Sequence, residues 1–384
     1  MRREFRKKLR KRKRFMFRQH ETTPNPLLEK EGAKSSTLLE KERAKSSPSL
    51  QRRGSGGGSR AFVTGGSGFT GGHLCRMLVE QGYTVTALVR GASKVDHLKS
   101  LGIQTVTGDL SSSFSLNGAL ENIDVVFHVG AAYRQEGVPK EYFWKVNVDG
   151  TRSLLEQARD SGVRRFVHCS TVGVQGEIKN PPAKESDPYN PGDHYQESKV
   201  EGEKLALGFF ERYKMAGSIV RPVGIYGPGD TRFLKLFKHI NNGTFRMIGS
   251  GEVLYHLTFV EDLVRGIILA GEKPEAVGKI YAIGGNEYLT LKELVAMIAE
   301  VLGKPVPKKR VPLAPVYAAA ALCEVLCRPL GIEPPLYRRR LDFFTKDRAF
   351  DISKAKQELG YEPQVPLRKG LARTAQWYKE QGWI

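Results

Sequence analysis

The stretch AFVTGGSGFTGG, residues 61–72, constrains this chain more than any other. A short apolar run enters a turn in which Gly65, Gly68 and Gly71 recur at intervals of three, and a helical pattern follows to about Gly82. Glycine suits such a turn for physical reasons. It permits tight backbone geometry, lets the backbone approach a pyrophosphate, and packs helix against strand. The helix opening there supplies N–H donors and the positive end of its dipole. Glycine triplets also occur in ordinary loops, so context decides. A strand before, a helix after and a place at the head of the first βαβ unit point to a dinucleotide. Gly65, Gly68, Phe69, Thr70 and Gly71 are its candidate contacts.

The order of elements agrees. YTVTALV (83–89), IQTVTG (103–108), DVVFHV (124–129) and RRFVHCS (164–170) are β-rich runs with helical stretches between them. Strands alternating with helices predict an α/β fold, a doubly wound parallel sheet covered on both faces, with its crevice at the carboxyl ends of the strands. From about Arg221 the pattern loosens into Pro- and Gly-rich turns and shorter helices. We therefore expect a dinucleotide-binding domain over 60–220 and a smaller C-terminal α/β substrate lobe over 221–384. The segment 255–272 should return to the main core.

The net charge of +20 belongs mostly to the N-terminal end. Residues 1–59 hold 18 Lys/Arg against 6 Asp/Glu, while the rest hold 43 against 35. That end contains a near-duplicate, LLEKEGAKSS and LLEKERAKSS, and closes on RRGSGGGS. It lacks the apolar stretch of a secretory signal and cannot bury enough surface to offset ordering, so a disordered basic tail and flexible linker are expected. It carries no folded nucleic-acid-binding motif, and no specific nucleic-acid partner is expected. Cys75, Cys169, Cys323 and Cys327 form neither a disulfide framework nor a CxxC pair, and no metal site is read. No apolar run reaches the roughly 18–20 residues of a spanning helix. The chain reads as reduced, soluble and cytoplasmic.

The end of the second strand selects the cofactor. NAD sites place Asp or Glu there for the ribose hydroxyls, whereas NADP sites offer a cation to the 2′-phosphate. Here ALVRGASK puts Arg90 in that position, with Lys94 behind it. NADP is therefore expected, with NAD as the alternative. Asp109, followed by Leu110 in the GDL after the third strand, suits an adenine amino group or equally a helix N-cap.

YQESK (195–199) puts Tyr195 and Lys199 four residues apart on one helix face. A free phenol titrates near 10, and a neighbouring ammonium favours its phenolate. Upstream, a buried strand ends in Cys169–Ser170–Thr171, which offers a hydroxyl to a substrate oxygen at the crevice.

TGGSGFTGG, HVGAA (128–132), KVNVDGT (145–151), YQESK and RPVGIYGPGD (221–230) occur in the order found in extended short-chain dehydrogenases/reductases, the NAD(P)-dependent epimerase/dehydratase superfamily, which the chain resembles over about 60–384. The resemblance implies a Rossmann domain, a small-molecule substrate and a homodimer. It places the proton donor/acceptor on Tyr195, the lysine on Lys199 and the Ser/Thr on Thr171, with Ser170 a close second. Val129, Ala131, Asn147 and Pro222 match positions that line the cofactor. The departures narrow the chemistry. Val172–Gly173 stands where 4,6-dehydratases carry Asp–Glu. Gly224 replaces an epimerase asparagine, and Tyr255 replaces an arginine that grips diphosphate. The texture is closer to the dihydroflavonol reductase and 3β-hydroxysteroid dehydrogenase branch. That implies an oxidoreductase for a hydrophobic, sterol-, flavonoid- or isoprenoid-like alcohol or ketone, with an NAD-dependent sugar-nucleotide epimerase as the alternative; a non-catalytic dinucleotide sensor is the remaining reading, against which the Tyr195 and Lys199 pair argues.

One segment stays open. VPLAPVYAAAALCEVLC (311–327) lies between Lys308–Arg310 and Arg338–Arg340. It reads either as a buried helix with Val316, Ala320 and Cys323 inward, or as an interfacial helix making weak peripheral membrane contact.

Overall fold

Short runs rich in Val, Phe and Ile form the main sheet of the computed structural model, which describes residues 58–91, 93–112, 116, 118–133, 138–327 and 336–384. The strands are β1 (Arg60–Thr64), β2 (Thr84–Val89), β3 (Gln104–Thr107), β4 (Val125–His128), β5 (Arg165–Cys169) and β6 (Gly217–Pro222). Three more, β7 (Gly224–Tyr226), β8 (Met247–Ile248) and β9 (Leu254–Phe259), precede β10 (Ile280–Ile283), β11 (Tyr288–Thr290) and β12 (Arg310–Val311). The main sheet is parallel throughout, in the order β10-β6-β5-β4-β1-β2-β3. The order reverses between β1 and β4, so the crevice opens above their carboxyl ends.

Side-chain alternation covers both faces of this sheet. Val63, Phe127 and Val167 point into one core with α1 (Phe69–Glu80). Phe62, Val126 and Phe166 point into the other, against α2 (Gly150–Asp160) and α3 (His194–Arg212). The period of two and burial on both sides explain why these strands read as unbroken apolar runs. On the first face α1 is joined by α4 (Val260–Glu272), through Leu263, Val264 and Ile267.

The smaller lobe is built on two short sheets, β11-β9-β7 and β12-β8. Its own core gathers Phe237, Phe259, Leu294, Ile298 and Tyr378, with α5 (Leu291–Leu302) between the sheets and the C-terminal helix. Its further helices include Leu234–Asn241, which carries Phe237, and α6 (Leu313–Cys327), α7 (Arg338–Thr345) and α8 (Leu367–Glu380). A capping box of Thr290 and Glu293 starts α5, and Gly303 at φ 67° ends it.

Three expectations are corrected by this arrangement. The segment 255–272 returns to the main core only through α4 and then β10; β9 belongs to the three-stranded sheet of the lobe, and β6 runs across position 220/221. The linker ends earlier than expected. Ser59 is buried, its carbonyl accepts from Thr84 N, and a Cβ on Gly58 would stand 2.0 Å from the Gly82 carbonyl oxygen. The rest of the expected tail lies outside the described residues. The inward packing expected of α6 is also incomplete, because Ala320 and Glu324 are buried whereas Val316 and Cys323 are only half-buried. Among the described residues no helix is long and apolar enough to cross a membrane.

Candidate active site

The glycine turn closes onto itself. Gly65 has φ 70°, and a Cβ on Gly71 would stand 2.0 Å from the Gly65 carbonyl oxygen, so any side chain at 71 would push helix off strand. Gly68 precedes α1 with extended backbone and no side chain caps the first turn. The N–H groups there keep their directional pull on an anion.

Above the turn is a cavity of about 620 Å³ at the carboxyl ends of β1 to β4. Gly65, Gly68, Phe69, Thr70 and Gly71 line its floor, Arg90 its β2 end, Asp109 and Leu110 its β3 end, and Val129 and Ala131 its β4 end. Gly130, which a Cβ would press to 3.1 Å from Gly65 N, lines it as well. A cradle this crowded by glycine backbone, with a helix N-terminus below and Arg90 at one rim, fits a dinucleotide. The carboxylate of Asp109 also accepts from Ser111 N at 2.8 Å, within a turn that starts no helix among the described residues.

Asn147 and Pro222 are placed differently from the rest. Asn147 is 2% exposed and lies beneath the lining, in a π-helical turn over Lys145–Asp149. Its Oδ1 accepts from Ala132 N at 2.8 Å, and its Nδ2 donates to Ala132 O at 3.0 Å and Ser198 Oγ at 2.9 Å. With its amide spent on backbone and on α3, Asn147 shapes the wall without facing the cavity. Pro222 ends β6, paired with Ile283 of β10, and is absent from the lining.

The acid/base groups stand beside this cavity. Tyr195 and Lys199 lie in the first turns of α3, where Asp193 caps the helix by accepting from Gln196 N at 2.8 Å. Tyr195 is 9% exposed and its ring meets Tyr133, a lining residue, edge-on at 5.2 Å between centroids. Lys199 is 2% exposed and its Nζ donates to the Cys169 carbonyl oxygen at 2.8 Å. Burial pulls its pKa below the usual lysine value. Thr171 caps the 3₁₀ turn Val172–Gln175, its Oγ1 accepting from Gly173 N at 3.0 Å. Its hydroxyl hydrogen is not used by that bond, and Thr171 itself is absent from the cavity lining. Ser170 is buried, 5% exposed, and its Oγ has no partner among the described residues.

Below the tyrosine helix runs a chain of buried polar groups. Gly130 N donates to Thr64 Oγ1, which is 2.8 Å from His128 Nδ1; His128 Nε2 lies 2.9 Å from Thr151 Oγ1, and that hydroxyl donates to Asn147 O. With the Thr151 proton so used, His128 carries its hydrogen on Nε2 and accepts from Thr64 at Nδ1. The network ties the cavity edge at Gly130 to the turn that bears Asn147.

Residue-level reading from sequence missed part of the site. Tyr133 follows HVGAA directly, and Gly229, Asp230 and Arg232 extend the RPVGIYGPGD segment into the lining. Arg232 pairs with buried Asp230 at 2.5 Å and lies over the rings of Phe69 and Tyr133, at 5.3 and 6.0 Å. The motif signalled the place, but only folding of the lobe brings that loop across the crevice.

Known proteins agree with this geometry. Residues 61–284 match the profile of the NAD dependent epimerase/dehydratase family. A 3-beta-hydroxysteroid dehydrogenase of Mycolicibacterium neoaurum is 32% identical over 84% of this chain and 92% of its own. A decarboxylating sterol-4-alpha-carboxylate 3-dehydrogenase of Mus musculus is 32% identical over 82% of this chain and 89% of its own. Among solved structures, the dTDP-glucose 4,6-dehydratase DesIV of Streptomyces venezuelae with NAD bound aligns at a TM-score of 0.69 and 30% identity, over 84% of this chain and 98% of that one.

Proposed function

The chain belongs to the NAD dependent epimerase/dehydratase family, the extended short-chain dehydrogenases/reductases, and on that premise we propose that it is an NADP-dependent oxidoreductase of a hydrophobic secondary alcohol or ketone. The observation that carries the reading is the placement of Tyr195. Its ring touches the wall of the glycine-turn cavity through Tyr133, and its helix is anchored by Lys199 to the strand end that leads into Thr171.

Residues 60–220 hold the dinucleotide in this reading and 221–384 shape the substrate side. The first turn of α1 holds the diphosphate, Asp109 the adenine side, and Arg90 the 2′-phosphate. When bound, the nicotinamide supplies or takes the hydride. Tyr195 gives the proton to the forming alkoxide, or takes it from the alcohol in the reverse direction. Thr171 donates a hydrogen bond to the same oxygen, and the Lys199 charge lowers the cost of the phenolate. Val129, Ala131 and the Asn147-held wall keep water from that face.

The steroid and sterol names of the two relatives support an apolar substrate. Tyr255 supports it too. It is 4% exposed, its hydroxyl donates to the Phe343 carbonyl at 2.5 Å, and it offers no cation to a diphosphate. Val172–Gly173, in the 3₁₀ turn after Thr171, supplies no acid for water elimination. We extend the reading to a cytoplasmic homodimer that touches membrane through 311–327.

Acid release of nucleotide from the purified protein, followed by mass measurement, tests the function. An empty site with NADPH oxidation on steroid or prenyl ketones is the expected result. Tightly retained NAD and interconversion of sugar nucleotides without net redox change would establish the epimerase instead.

A further inference from the structure

Helix α6 is built inside out. Its one charged side chain, Glu324, is 8% exposed and receives Arg338 Nε at 2.9 Å, Nη2 at 2.7 Å and the Arg338 backbone N–H at 2.8 Å. Its large apolar side chains face outward, with Leu322 at 59%, Val325 at 66% and Leu326 at 59% exposure. These three sit at i, i+3 and i+4, so they share one face, which Ala318 and Ala319 extend by another turn. A surface helix in water turns its charge out and its leucines in. A continuous exposed apolar stripe marks a surface that something apolar covers.

The flanking charge decides what covers it. Lys308, Lys309 and Arg310 lead into the helix, all exposed, and three exposed arginines follow it, of which Arg338 and Arg339 are paired with Glu324 and Asp193. If two copies met stripe to stripe, two-fold symmetry would bring both sets of cations to the rim of one contact, where they repel. Anionic lipid headgroups complement the same cations. Fifteen residues at about 1.5 Å each make a helix of roughly 22 Å, too short to span and suited to lie along a surface.

The helix is wired to the catalytic one. Arg338, bound to Glu324, opens α7, and the next residue, Arg339, bonds Asp193 Oδ2 through Nη2 at 2.6 Å. Asp193 is the N-cap of α3, with Tyr195 two residues on. We propose that α6 docks on an anionic bilayer with Leu322, Val325 and Leu326 inserted, and that the Glu324–Arg338 and Arg339–Asp193 pairs transmit docking to the first turn of α3, so that the substrate reaches Tyr195 from the lipid. Delivery rests on the apolar-substrate reading above; docking does not.

The test uses the full chain and the triple variant Leu322→Glu, Val325→Glu, Leu326→Glu, whose changes fall on exposed side chains. Both are floated with vesicles of phosphatidylglycerol and phosphatidylcholine at high salt, which screens the basic N-terminal segment equally in both. The wild type should float roughly tenfold more than the variant, because insertion of apolar surface survives salt. Equal flotation of the two proteins overturns docking. So does a wild-type dimer that the triple variant splits without any change in flotation, since the stripe would then be a contact between copies. Arg339→Gln should float like the wild type yet lose the stimulation of turnover that vesicles give on an apolar ketone. Retained stimulation overturns the transmission. Flotation is read without cofactor or substrate, so docking with no ketone reduction on any soluble ketone would fail the functional reading alone.

Discussion

The Lys199 ammonium and the Cys169 carbonyl, 2.8 Å apart, lock the proton-transfer helix to the end of β5. The next two residues of that strand end are Ser170 and Thr171, so one hydrogen bond fixes the candidate acid/base and the candidate hydroxyl in a common frame. It also spends one of three ammonium donors on the protein, leaving two for a ribose and for the charge that steadies a phenolate.

Lys199→Met should therefore damage two functions at once. Methionine fills the buried volume and forfeits one hydrogen bond, a stability change of about 1 kcal/mol. Turnover should fall by roughly 100-fold or more, in keeping with the loss of a group that tunes the general acid/base, and cofactor affinity should weaken. Nucleotide titration by fluorescence, beside steady-state rates, checks this. Unchanged cofactor affinity would remove the ribose role.

Tyr195→Phe separates chemistry from binding. The ring keeps its contacts with Tyr133 and Phe143, so folding and nucleotide affinity should stay close to wild type. Turnover should drop by roughly 100- to 10,000-fold, the usual worth of a positioned proton donor. A variant retaining most of its rate would assign the proton to another group.

Much of this frame was legible before any fold was seen. The glycine spacing and the strand runs are local signals, and local sterics are what glycine and β-branched residues report. Tyr195 and Lys199 were legible because helical spacing alone puts them on one face. The role of Asn147 was not, since a π-helical turn turns its amide back onto Ala132, and no residue pattern announces that register. Nor was Arg232, which reaches the cavity only because the lobe folds across the crevice. Helix α6 stayed open between two readings for a simpler reason. Composition cannot say which side of an apolar helix meets the protein.

Arg90→Asp should move preference from NADPH toward NADH by replacing a cation at the cavity rim with an acceptor for ribose hydroxyls. The change is exposed and should leave the melting temperature within a degree or two, as surface substitutions usually do. The ratio of kcat/KM for the two cofactors reads the shift, and a wild type already preferring NADH would refute the role given to Arg90.

The buried pair behind the catalytic helix should be far more sensitive. Arg221 of β6 and Glu203 of α3 meet at 2.6 Å with both side chains almost fully buried, and Tyr189 donates to the same carboxylate at 2.9 Å. Glu203→Ala strands the guanidinium and should cost about 3–5 kcal/mol, whereas Glu203→Leu combined with Arg221→Met should cost much less because no charge is left unpaired. Urea unfolding of both variants reads the difference. A double variant as unstable as the single one would mean that packing, not charge, holds α3 to the sheet.

Acid should weaken the fold through histidines rather than carboxylates first. His128 and His168 are 1% and 0% exposed, with ring centroids 5.2 Å apart. Burial, reinforced by the Lys199 charge, holds His128 down to about 3 and His168 well below its usual value. Unfolding returns each to about 6.5, so the unfolded chain binds more protons than the folded one at any pH between those limits. Stability is full well above pH 6.5, begins to decline as pH approaches that value, and falls steadily below it. Between pH 7.5 and 5.5 His128 should remove on the order of 1 kcal/mol, and His168 acts in the same direction. His73 and His256, also lowered by burial, act in the same direction. Urea midpoints at pH 7.5 and 5.5 measure the loss, and a flat profile would show that these rings take up protons in the folded protein as readily as in the unfolded chain.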